Sequence, residues 1–466
     1  MTVPMPWGPQ PKKHRGFDRR LLWVVLAVVV VVVVAVTAVA VVVLRDEAST
    51  RRPDGLLAGT YPRQPTVKWT RRADELLAGS TVSTTETQIL GAFGRRGFVD
   101  AGDKLIVRVV AGLSHDTGKL AALDSKTGQV DWVIPFSATS GCSAHVVGKL
   151  LPCVLDKQVV FVRVSDGEIT ARYTPDFQPD DVTSDGDTVV VAGRMPHDPQ
   201  TVSYDMVVTS GTVSDPAKYW TTKLSPAACH YGNSDNLDVV VRNGFVGTDL
   251  GAPDAALRLS DGSQLVDGPA SLAAVYPRLG AAVQRCADAY PDNRNTATYF
   301  NADAREIRTG PLPAAPLLWV TALTNPPVIT QDGTAVDFRN GQRKWSLPGF
   351  HNVSDKVAVV GDVALHVKSK SLTAYDLRTG ESRWSVNGTQ ASWLPALTDG
   401  ARIIQLSGPD VIAIALDDGS TAWTMSPDVS GDDTPVIGAA DAGLVVMTDD
   451  SIALYPPTGA GSHVPS

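Results

Sequence analysis

The sequence predicts an all-β protein in which one four-stranded unit is repeated around a ring, preceded by a single membrane-spanning helix. Three observations support this prediction: a pattern of 11 residues recurs along the chain, an Asp-Gly turn signal recurs with it, and one long apolar segment lies near the start. Gly (40) and Pro (32) are frequent, and the long patterns of amphipathic helices are missing after residue 45. This composition is typical of a chain rich in strands and turns.

The recurring pattern is A-x-D-x-x-T-G-x-x-x-W. In residues 122–132, 335–345 and 374–384 the Ala, Asp, Gly and Trp hold the same offsets while the residues between them vary. A fourth copy ends at Trp423, where Gly419 keeps its place but the Asp is shifted. Each copy predicts two strands joined by a tight turn, because Asp bonds the backbone two residues on and Gly supplies the positive φ of such a hairpin.

The Trp of each copy lies on the outgoing strand of this hairpin. An isolated hairpin cannot bury a Trp, so neighbouring copies must stack face to face. Gly341, Gly380 and Gly419 follow one another at intervals of 39 residues, close to the ~40 to 45 residues of a propeller blade. The repeat therefore predicts blades arranged around an axis.

A second turn signal completes each unit. Residues 182–186, 329–333 and 397–400 end in Asp-Gly, and β-branched runs such as 189–191 follow. Asp-Gly between such runs predicts a hairpin. Each unit then contains an inner and an outer hairpin, which gives four antiparallel strands.

The two ends of the repeat region predict a closed ring. Residues 66–70 (T-V-K-W-T) form an outgoing strand with Trp69 but no incoming partner, whereas residues 451–459 form an incoming strand and turn without a Trp. We expect the two ends to share one blade. Turn signals in the middle are degenerate: Tyr173 and Trp220 are candidate replacements for the Trp, and the copies near residues 262 and 304 have none.

These copies resemble the tryptophan-docking motif of the quinoprotein-like (PQQ-like) β-propeller repeats. The resemblance covers residues 66–460 and implies eight blades of four antiparallel strands, although the turn signals give nine candidates and allow seven to nine. It also implies that each Trp packs against a Gly of the adjacent blade. The docking residues are then Trp69, Trp132, Trp345, Trp384 and Trp423, with Gly128, Gly341, Gly380 and Gly419.

The start of the chain predicts a membrane anchor. Residues 1–20 are Pro-rich and basic, and residues 21–44 form an apolar segment of 24 residues, long enough to cross a ~30 Å hydrocarbon core as a helix. The basic flank places the N-terminus in the cytoplasm and the propeller outside. Residues 38–40 resemble a signal-peptidase site, but the apolar run continues past them, which favours an uncleaved anchor in the cell membrane. Residues 45–65 are predicted to be a tether and residues 461–466 a tail.

Charge argues against one class of partner. The chain has a net charge of −8, and its first 20 residues contain five basic residues and one acid, so the remainder carries −12. An acidic surface repels phosphate backbones, and we therefore expect no nucleic-acid binding.

The cysteines predict two disulfides. An even number outside the membrane favours oxidation, and Cys142 and Cys153 flank a hairpin that turns at Gly148. Cys229 and Cys286 are then expected to link neighbouring units in the degenerate middle. Zinc sites have shorter ligand spacings, so we expect no metal site at these cysteines.

Other clusters of polar residues lack the pattern of a functional site. Asp180, Asp181, Asp185 and Asp187 lie close together but lack the loop pattern and final Glu of a calcium site. The glycines of residues 91–97 lack the spacing of a phosphate loop. His residues are scattered singly, so no hydrolase triad is indicated.

Fold alone does not choose a function. The family that the repeats resemble includes redox enzymes that hold pyrroloquinoline quinone with calcium, and cofactor-free scaffolds of the outer-membrane-assembly lipoprotein type. This chain has neither an adjacent Cys pair nor a C-x-x-C-H haem motif. We therefore expect no catalytic residue and no cofactor, and a scaffold that binds envelope proteins. The alternatives are a quinone-dependent dehydrogenase that uses the central channel and a sensor of small ligands or glycans.

Overall fold

The structure is a computed structural model. It describes residues 52–76, 80–82, 97–111, 117–136, 141–196, 204–224, 238–249, 255–285, 296–350, 355–368, 371–387, 396–427, 435–448 and 450–459. The chain divides into two compact units, Met1–Arg52 and Pro53–Ser466. The second unit is the all-β part and contains every strand of the described ranges.

The strands of the second unit form nine sheets in the described ranges, here called blades 1 to 9 in chain order. Before blade 1 lie strand β1 (Trp69–Arg72) and the short helix α1 (Ala73–Leu76). Blade 1 contains β2 (Ser80–Val82), β3 (Phe98–Asp100), β4 (Lys104–Ala111), β5 (Thr117–Asp124) and β6 (Val130–Phe136). Blade 2 contains β7 (Leu150–Leu155), β8 (Gln158–Arg163) and β9 (Ile169–Tyr173). Blade 3 contains β10 (Gln178–Asp185), β11 (Thr188–Pro196), β12 (Tyr204–Gly211) and β13 (Trp220–Leu224).

The middle of the chain forms blades 4 to 6. Blade 4 contains β14 (Asp238–Arg242), β15 (Phe245–Asp249) and β16 (Ala256–Arg258). Blade 5 contains β17 (Ala270–Tyr276), β18 (Gly280–Arg285), β19 (Thr296–Asn301) and β20 (Glu306–Pro311). Strand β21 (Pro316–Val320) follows, and blade 6 then contains β22 (Val328–Ile329), β23 (Thr334–Val336) and β24 (Arg343–Ser346).

Blades 7 to 9 complete the unit. Blade 7 contains β25 (Lys356–Val360), β26 (Val363–Lys368), β27 (Ser371–Asp376) and β28 (Ser382–Asn387), and β21 pairs with β25. Blade 8 contains β29 (Leu397–Thr398), β30 (Arg402–Ser407), β31 (Asp410–Ala415) and β32 (Thr421–Met425). Blade 9 contains β33 (Val436–Ala440), β34 (Gly443–Met447) and β35 (Ser451–Tyr455), and β1 is its fourth strand.

The prediction of an all-β propeller is confirmed. Nine sheets are present in the described residues, which agrees with the nine candidates from the turn signals and not with the eight blades that the resemblance implied. Each degenerate turn signal in the middle of the chain belongs to a separate sheet. Blades 2, 4 and 6 contain only three regular strands among the described residues. In these blades an irregular segment pairs through isolated bridges instead, as Pro313 does with Thr330 beside β22.

The ring closes as the sequence predicts. Strand β1 pairs antiparallel with β35, and Trp69 faces Leu454 while Arg72 faces Ser451. The amide of Lys68 extends this pairing by donating to the carbonyl oxygen of Leu454 at 2.8 Å. The two ends of the repeat region therefore share blade 9.

Burial follows the position of a strand in its blade. The inner strands β33 and β34 are buried at every residue, because both faces are covered by neighbouring blades. The outer strand β32 alternates, and Trp423 is buried between exposed residues. Apolar β-branched runs therefore form the inner strands, and the Trp-bearing strands lie outside.

The predicted basic segment (1–20), membrane helix (21–44) and tail (461–466) lie outside the described residues. Among the residues that are described, no helix has the length and apolar character needed to span a membrane. The predicted tether (45–65) is described from residue 52 onwards. There it differs from the prediction, because Leu56, Leu57 and Tyr61 are buried in the propeller core.

Candidate functional site

The junctions between blades repeat one geometry. At five of them an indole ring lies against the turn Gly of the next blade, and its Nε1 donates to the carbonyl oxygen three residues before that Gly. These bonds run from Trp69 to Ser125 (3.2 Å), Trp132 to Val164 (2.8 Å), Trp220 to Leu259 (2.8 Å), Trp345 to Leu377 (3.0 Å) and Trp384 to Leu416 (2.9 Å). The corresponding glycines are Gly128, Gly167, Gly262, Gly380 and Gly419.

Glycine is required at these turns for two reasons. Gly380 and Gly419 both have φ +75°, a backbone conformation that costs little only for Gly. A Cβ atom would also lie 2.6 Å from the ring of Trp345 at Gly380, and 2.5 Å from the ring of Trp384 at Gly419. The turn residue therefore fixes both the hairpin and the depth at which the indole packs.

Gly341 has a different partner from the one that the resemblance implied. Arg308, on β20 of blade 5, takes the place of the indole and donates from Nε to the carbonyl oxygen of Phe338 at 2.9 Å. Its guanidinium group lies over the ring of Tyr299, with Cζ 3.5 Å from the ring centroid. Trp132, Trp345 and Trp384 each precede their partner Gly by 35 residues, and Arg308 precedes Gly341 by 33. This regular spacing is the signal that could have identified Arg308 in the sequence.

At the junction between blades 8 and 9, Trp423 contacts the segment that precedes β1. Its Nε1 donates to the carbonyl oxygen of Tyr61 at 2.7 Å. Blade 9 has no tight turn here, because its third and fourth strands come from opposite ends of the chain. Thr60 and Gly459 pair in place of that turn, and the amide of Gly459 donates to Thr60 at 3.0 Å.

Tyr61 connects blades 8 and 9 through its backbone and its side chain. Its amide donates to Oδ2 of Asp399 at 2.7 Å. Its hydroxyl group donates to the carbonyl oxygen of Tyr455 at 3.1 Å and accepts from the amide of Leu444 at 2.8 Å. Both Tyr61 and Asp399 are fully buried, so these bonds are shielded from water. No pattern in the sequence indicated this role.

The first strands of the blades lie nearest to the axis, since β10 contacts β14 and β29 contacts β33. Two segments cover the inner edges of such strands. Strand β21 pairs in parallel with β25 on the side away from β26. Residues 55–57 pair in parallel with β29, where Leu57 donates to Thr398 and Thr398 donates to Gly55, each at 2.8 Å.

These two segments also contact each other. A Cβ atom on Gly55 would lie 2.5 Å from Cδ1 of Leu318 on β21. Leu56 belongs to the same buried cluster as Leu318 and Val320. Asp54 forms an ion pair with Arg242 of blade 4 at 2.8 Å. The chain's own residues therefore occupy the inner side of blades 7 and 8.

The predicted bond between Cys142 and Cys153 is confirmed. It joins β7 to the irregular first segment of blade 2, where the two residues pair as a bridge. The hydroxyl group of Ser143 lies 2.9 Å from that of Ser184 on blade 3, so the same segment contacts the next blade. Cys229 and Cys286 lie outside the described residues, and their pairing stays a prediction.

The acidic cluster of residues 180–187 has structural partners. Asp180 pairs with Arg194 through two bonds of 2.8 Å, and burial raises the pKa of Asp180 although Arg194 opposes this. Asp181 accepts a bond from the amide of Val239 in blade 4 at 2.7 Å. No group of three or more metal-binding side chains occurs in the described part of the chain.

A buried imidazole lies between blades 6 and 7. Nε2 of His366 on β26 is 3.1 Å from Oδ2 of Asp355, and its ring lies 4.9 Å from that of Phe350. Burial lowers the pKa of His366 below 6.5, while Asp355 acts in the opposite direction. His145 is partly buried, and His115 and His230 lie outside the described residues.

Repeated blades, docking indoles and a strand-paired closure define the class of this protein as a β-propeller. Residues 330–459 match a family model described as "Outer membrane protein assembly factor BamB". The match covers blades 6 to 9, which contain the copies that end at Trp345, Trp384 and Trp423. The resemblance to the PQQ-like repeats is therefore confirmed over these residues. No curated protein matches the chain.

Solved structures give similarities of low sequence identity. BamB from Moraxella catarrhalis is 11% identical with a TM-score of 0.44, covering 85% of this chain and 100% of that chain. The quinohemoprotein alcohol dehydrogenase from Comamonas testosteroni is 10% identical with a TM-score of 0.44, covering 90% of this chain and 83% of that chain. A computationally designed protein, Ika8, is 11% identical with a TM-score of 0.41, covering 80% and 98%. The fold assignment rests on the strand pairing and on the family model.

Proposed function

We propose that the chain is a non-catalytic scaffold that binds proteins in the cell envelope, held to the membrane by residues 21–44. One observation carries the proposal: the inner edges of blades 7 and 8 are covered by β21 and by residues 55–57 of the chain itself. A propeller enzyme that uses its central channel needs that space for a cofactor. The description of the matching family as an assembly factor supports the same function.

The alternative, a quinone-dependent dehydrogenase, requires a different set of residues. Pyrroloquinoline quinone carries several carboxylates and needs convergent cations, and its calcium ion needs several hard oxygen ligands. Near the covered edges, Arg402 is bonded to Asp399 at 2.9 Å, and Arg242 is paired with Asp54. These cations are already neutralised by the chain's own acids. These two pairings support the scaffold over the dehydrogenase, and we derive no reaction through the quinone.

The outer surface offers a place to look for a partner. The exposed large apolar residues of the described ranges are Val67, Val130, Val133 and Tyr219. Val67 precedes Trp69 on blade 9, and the other two valines lie on β6 of blade 1, the next blade around the ring. A contiguous exposed apolar patch is typical of a protein-binding surface, and we propose that these three valines belong to one.

Photo-crosslinking in native membranes tests the proposal. A photoreactive residue replaces Val67, Val130 or Val133, one at a time, in the full-length chain. Matched controls replace Ser385 and Thr424, which like Val133 directly follow a docking Trp and are exposed. We expect a discrete crosslinked protein from position 133 and not from the two controls. Absence of any protein crosslink from positions 67, 130 and 133 contradicts a partner at this surface.

A further inference from the structure

One ion pair joins two blades that are not neighbours. Asp54 directly precedes the segment that pairs with β29 of blade 8, and its Oδ2 lies 2.8 Å from Nη2 of Arg242, the last residue of β14 in blade 4. Blades 4 and 8 are four positions apart in a closed ring of nine, so they lie on opposite sides of its axis. A contact between them has to cross the interior of the ring.

Strand β21 extends into the same interior from blade 7. The ring of Trp319 on β21 lies 4.7 Å from that of Tyr276, the last residue of β17 in blade 5. Trp319 also packs against the buried cluster between blades 5 and 6 and against the one between blades 6 and 7. Propellers typically have about four to eight blades around a central channel, and a ninth blade widens that space. Residues 53–57, here called the strap, and β21 lie side by side within it.

The two ends of the strap are held by different forces. Leu57 is fully buried and Leu56 is 2% exposed, so the C-terminal end is held by apolar packing. The side chains of Asp54 and Arg242 are 43% and 31% exposed. An ion pair between partly exposed side chains contributes little stability, and salt screens it. The N-terminal end is therefore released far more easily than the C-terminal end.

We propose that the strap is a salt-sensitive latch across the interior of the propeller. The ion pair of Asp54 with Arg242 holds its N-terminal end, and rising ionic strength releases that end while the ring stays closed. Closure does not require this pair, because β1 pairs with β35 and Trp423 binds Tyr61. Since the ion pair exists only when the strap is in place, its loss shifts the equilibrium towards the open strap. This inference does not depend on the proposed scaffold function.

Hydrogen exchange of the full-length protein in detergent, followed by mass spectrometry, tests the latch. The amide of Thr398 donates to Gly55, next to Asp54, at 2.8 Å, so peptides that contain Thr398 report the opening of the strap. We expect faster exchange at about 1 M than at about 0.01 M salt, because the Debye length falls from about 30 Å to about 3 Å. Asp54→Asn and Arg242→Gln should each accelerate exchange at low salt by up to about fivefold, as expected for the loss of one partly exposed ion pair. Both variants should also lose most of the salt dependence.

Two further variants and one reference strand separate the latch from a general loss of stability. Arg163→Gln is the matched control, because it breaks a partly exposed ion pair with Asp166 inside blade 2, and it should leave the reporting amide unchanged. Asp54→Lys combined with Arg242→Glu reverses the pair and should restore slow exchange at low salt. Peptides from β33 should not respond in any variant. Equal exchange in the wild type, Asp54→Asn and Arg242→Gln would overturn the proposal, as would an acceleration of the same size in β33.

Discussion

Trp423 donates from Nε1 to the carbonyl oxygen of Tyr61 at 2.7 Å, joining two residues that are 362 positions apart in the sequence. The docking indole of blade 8 thereby binds the segment through which the chain enters the propeller. The ring is closed twice, once by the pairing of β1 with β35 and once by this contact. Part of the segment predicted to be a tether is thus part of the propeller core.

The first prediction concerns Tyr61. Tyr61→Phe leaves the buried amide of Leu444 without its acceptor, which costs about 1 to 3 kcal/mol. Tyr61→Ala should cost about 3 to 5 kcal/mol, as for other large buried rings. The free energy of unfolding is measured by urea titration. The control is Tyr219→Phe, because Tyr219 is 54% exposed, and it should change stability by less than about 0.5 kcal/mol. Equal stability of Tyr61→Phe and the control would contradict the role of Tyr61.

The second prediction separates indole docking from backbone strain. Gly380→Ala forces a Cβ atom into the ring of Trp345, whereas Gly408→Ala meets no atom within 4 Å. Both glycines have positive φ, at 75° and 62°, so both variants carry similar backbone strain. Gly380→Ala should therefore lose about 1 to 3 kcal/mol more than Gly408→Ala in the same unfolding assay. Equal free energies of unfolding for the two variants would contradict close packing of the indole on Gly380.

The third prediction concerns the exceptional junction at Gly341. The nearest atom to an added Cβ is the flexible end of Arg308 at 3.3 Å, so the side chain can move aside. Gly341→Ala should be less destabilising than Gly380→Ala, although its φ of 73° is nearly the same. The comparison uses chemical unfolding of the two single variants. A larger loss at Gly341 would show that Arg308 is held as rigidly as an indole.

The fourth prediction is a pH dependence from His366. Burial lowers its pKa in the folded state below 6.5, the value of an unperturbed imidazole. The unfolded chain therefore binds this proton more readily, and stability is present above pH 6.5 and lost as the pH falls towards the lowered pKa. His366→Gln should make the decrease in unfolding free energy from pH 7.5 to about 5 shallower. His145→Gln, away from this contact, should retain the decrease, and an unchanged slope in His366→Gln would refute the assignment.

The fifth prediction concerns the disulfides. Replacing both Cys142 and Cys153 with Ser should lower stability by about 2 to 3 kcal/mol, because the bond closes a short loop. Peptide mapping without reduction should recover this pair and the predicted pair of Cys229 and Cys286. Free thiols at all four positions would contradict an extracytoplasmic propeller, since an exported chain is expected to be oxidised.

The blades could be predicted because their signals are local. Asp and Gly define the hairpin before Trp384 within a few residues, and the same chemistry recurs in each copy. Closure could be predicted because Trp69 lacked an incoming strand. The nine blades agree with the count of turn signals and not with the eight that the resemblance implied, because a family's usual number does not determine how many degenerate copies fold as separate sheets.

The remaining contacts could not be predicted because their partners are distant in sequence. Tyr61 lies in a charged, Pro-rich segment without periodicity, and Asp399 is 338 residues away. Arg308 does not match the Trp of the repeat pattern, and its position depends on stacking over the ring of Tyr299, which the sequence does not show. Strand β21 has an apolar sequence, but nothing in it shows that it pairs with blade 7 rather than blade 6. The contacts of Tyr61, Arg308 and β21 form only when the blades have closed into a ring, so local sequence patterns do not reveal them.

We propose that the propeller binds proteins and not a quinone, because the chain's own residues cover the inner edges of blades 7 and 8. Calorimetric titration of the full-length protein with pyrroloquinoline quinone and calcium tests it most directly, with dye-linked oxidation of alcohols and sugars measured on the same sample. We predict no saturable binding at micromolar quinone and no turnover, while the protein still unfolds cooperatively. Stoichiometric quinone binding with turnover would contradict the claim and establish the enzyme.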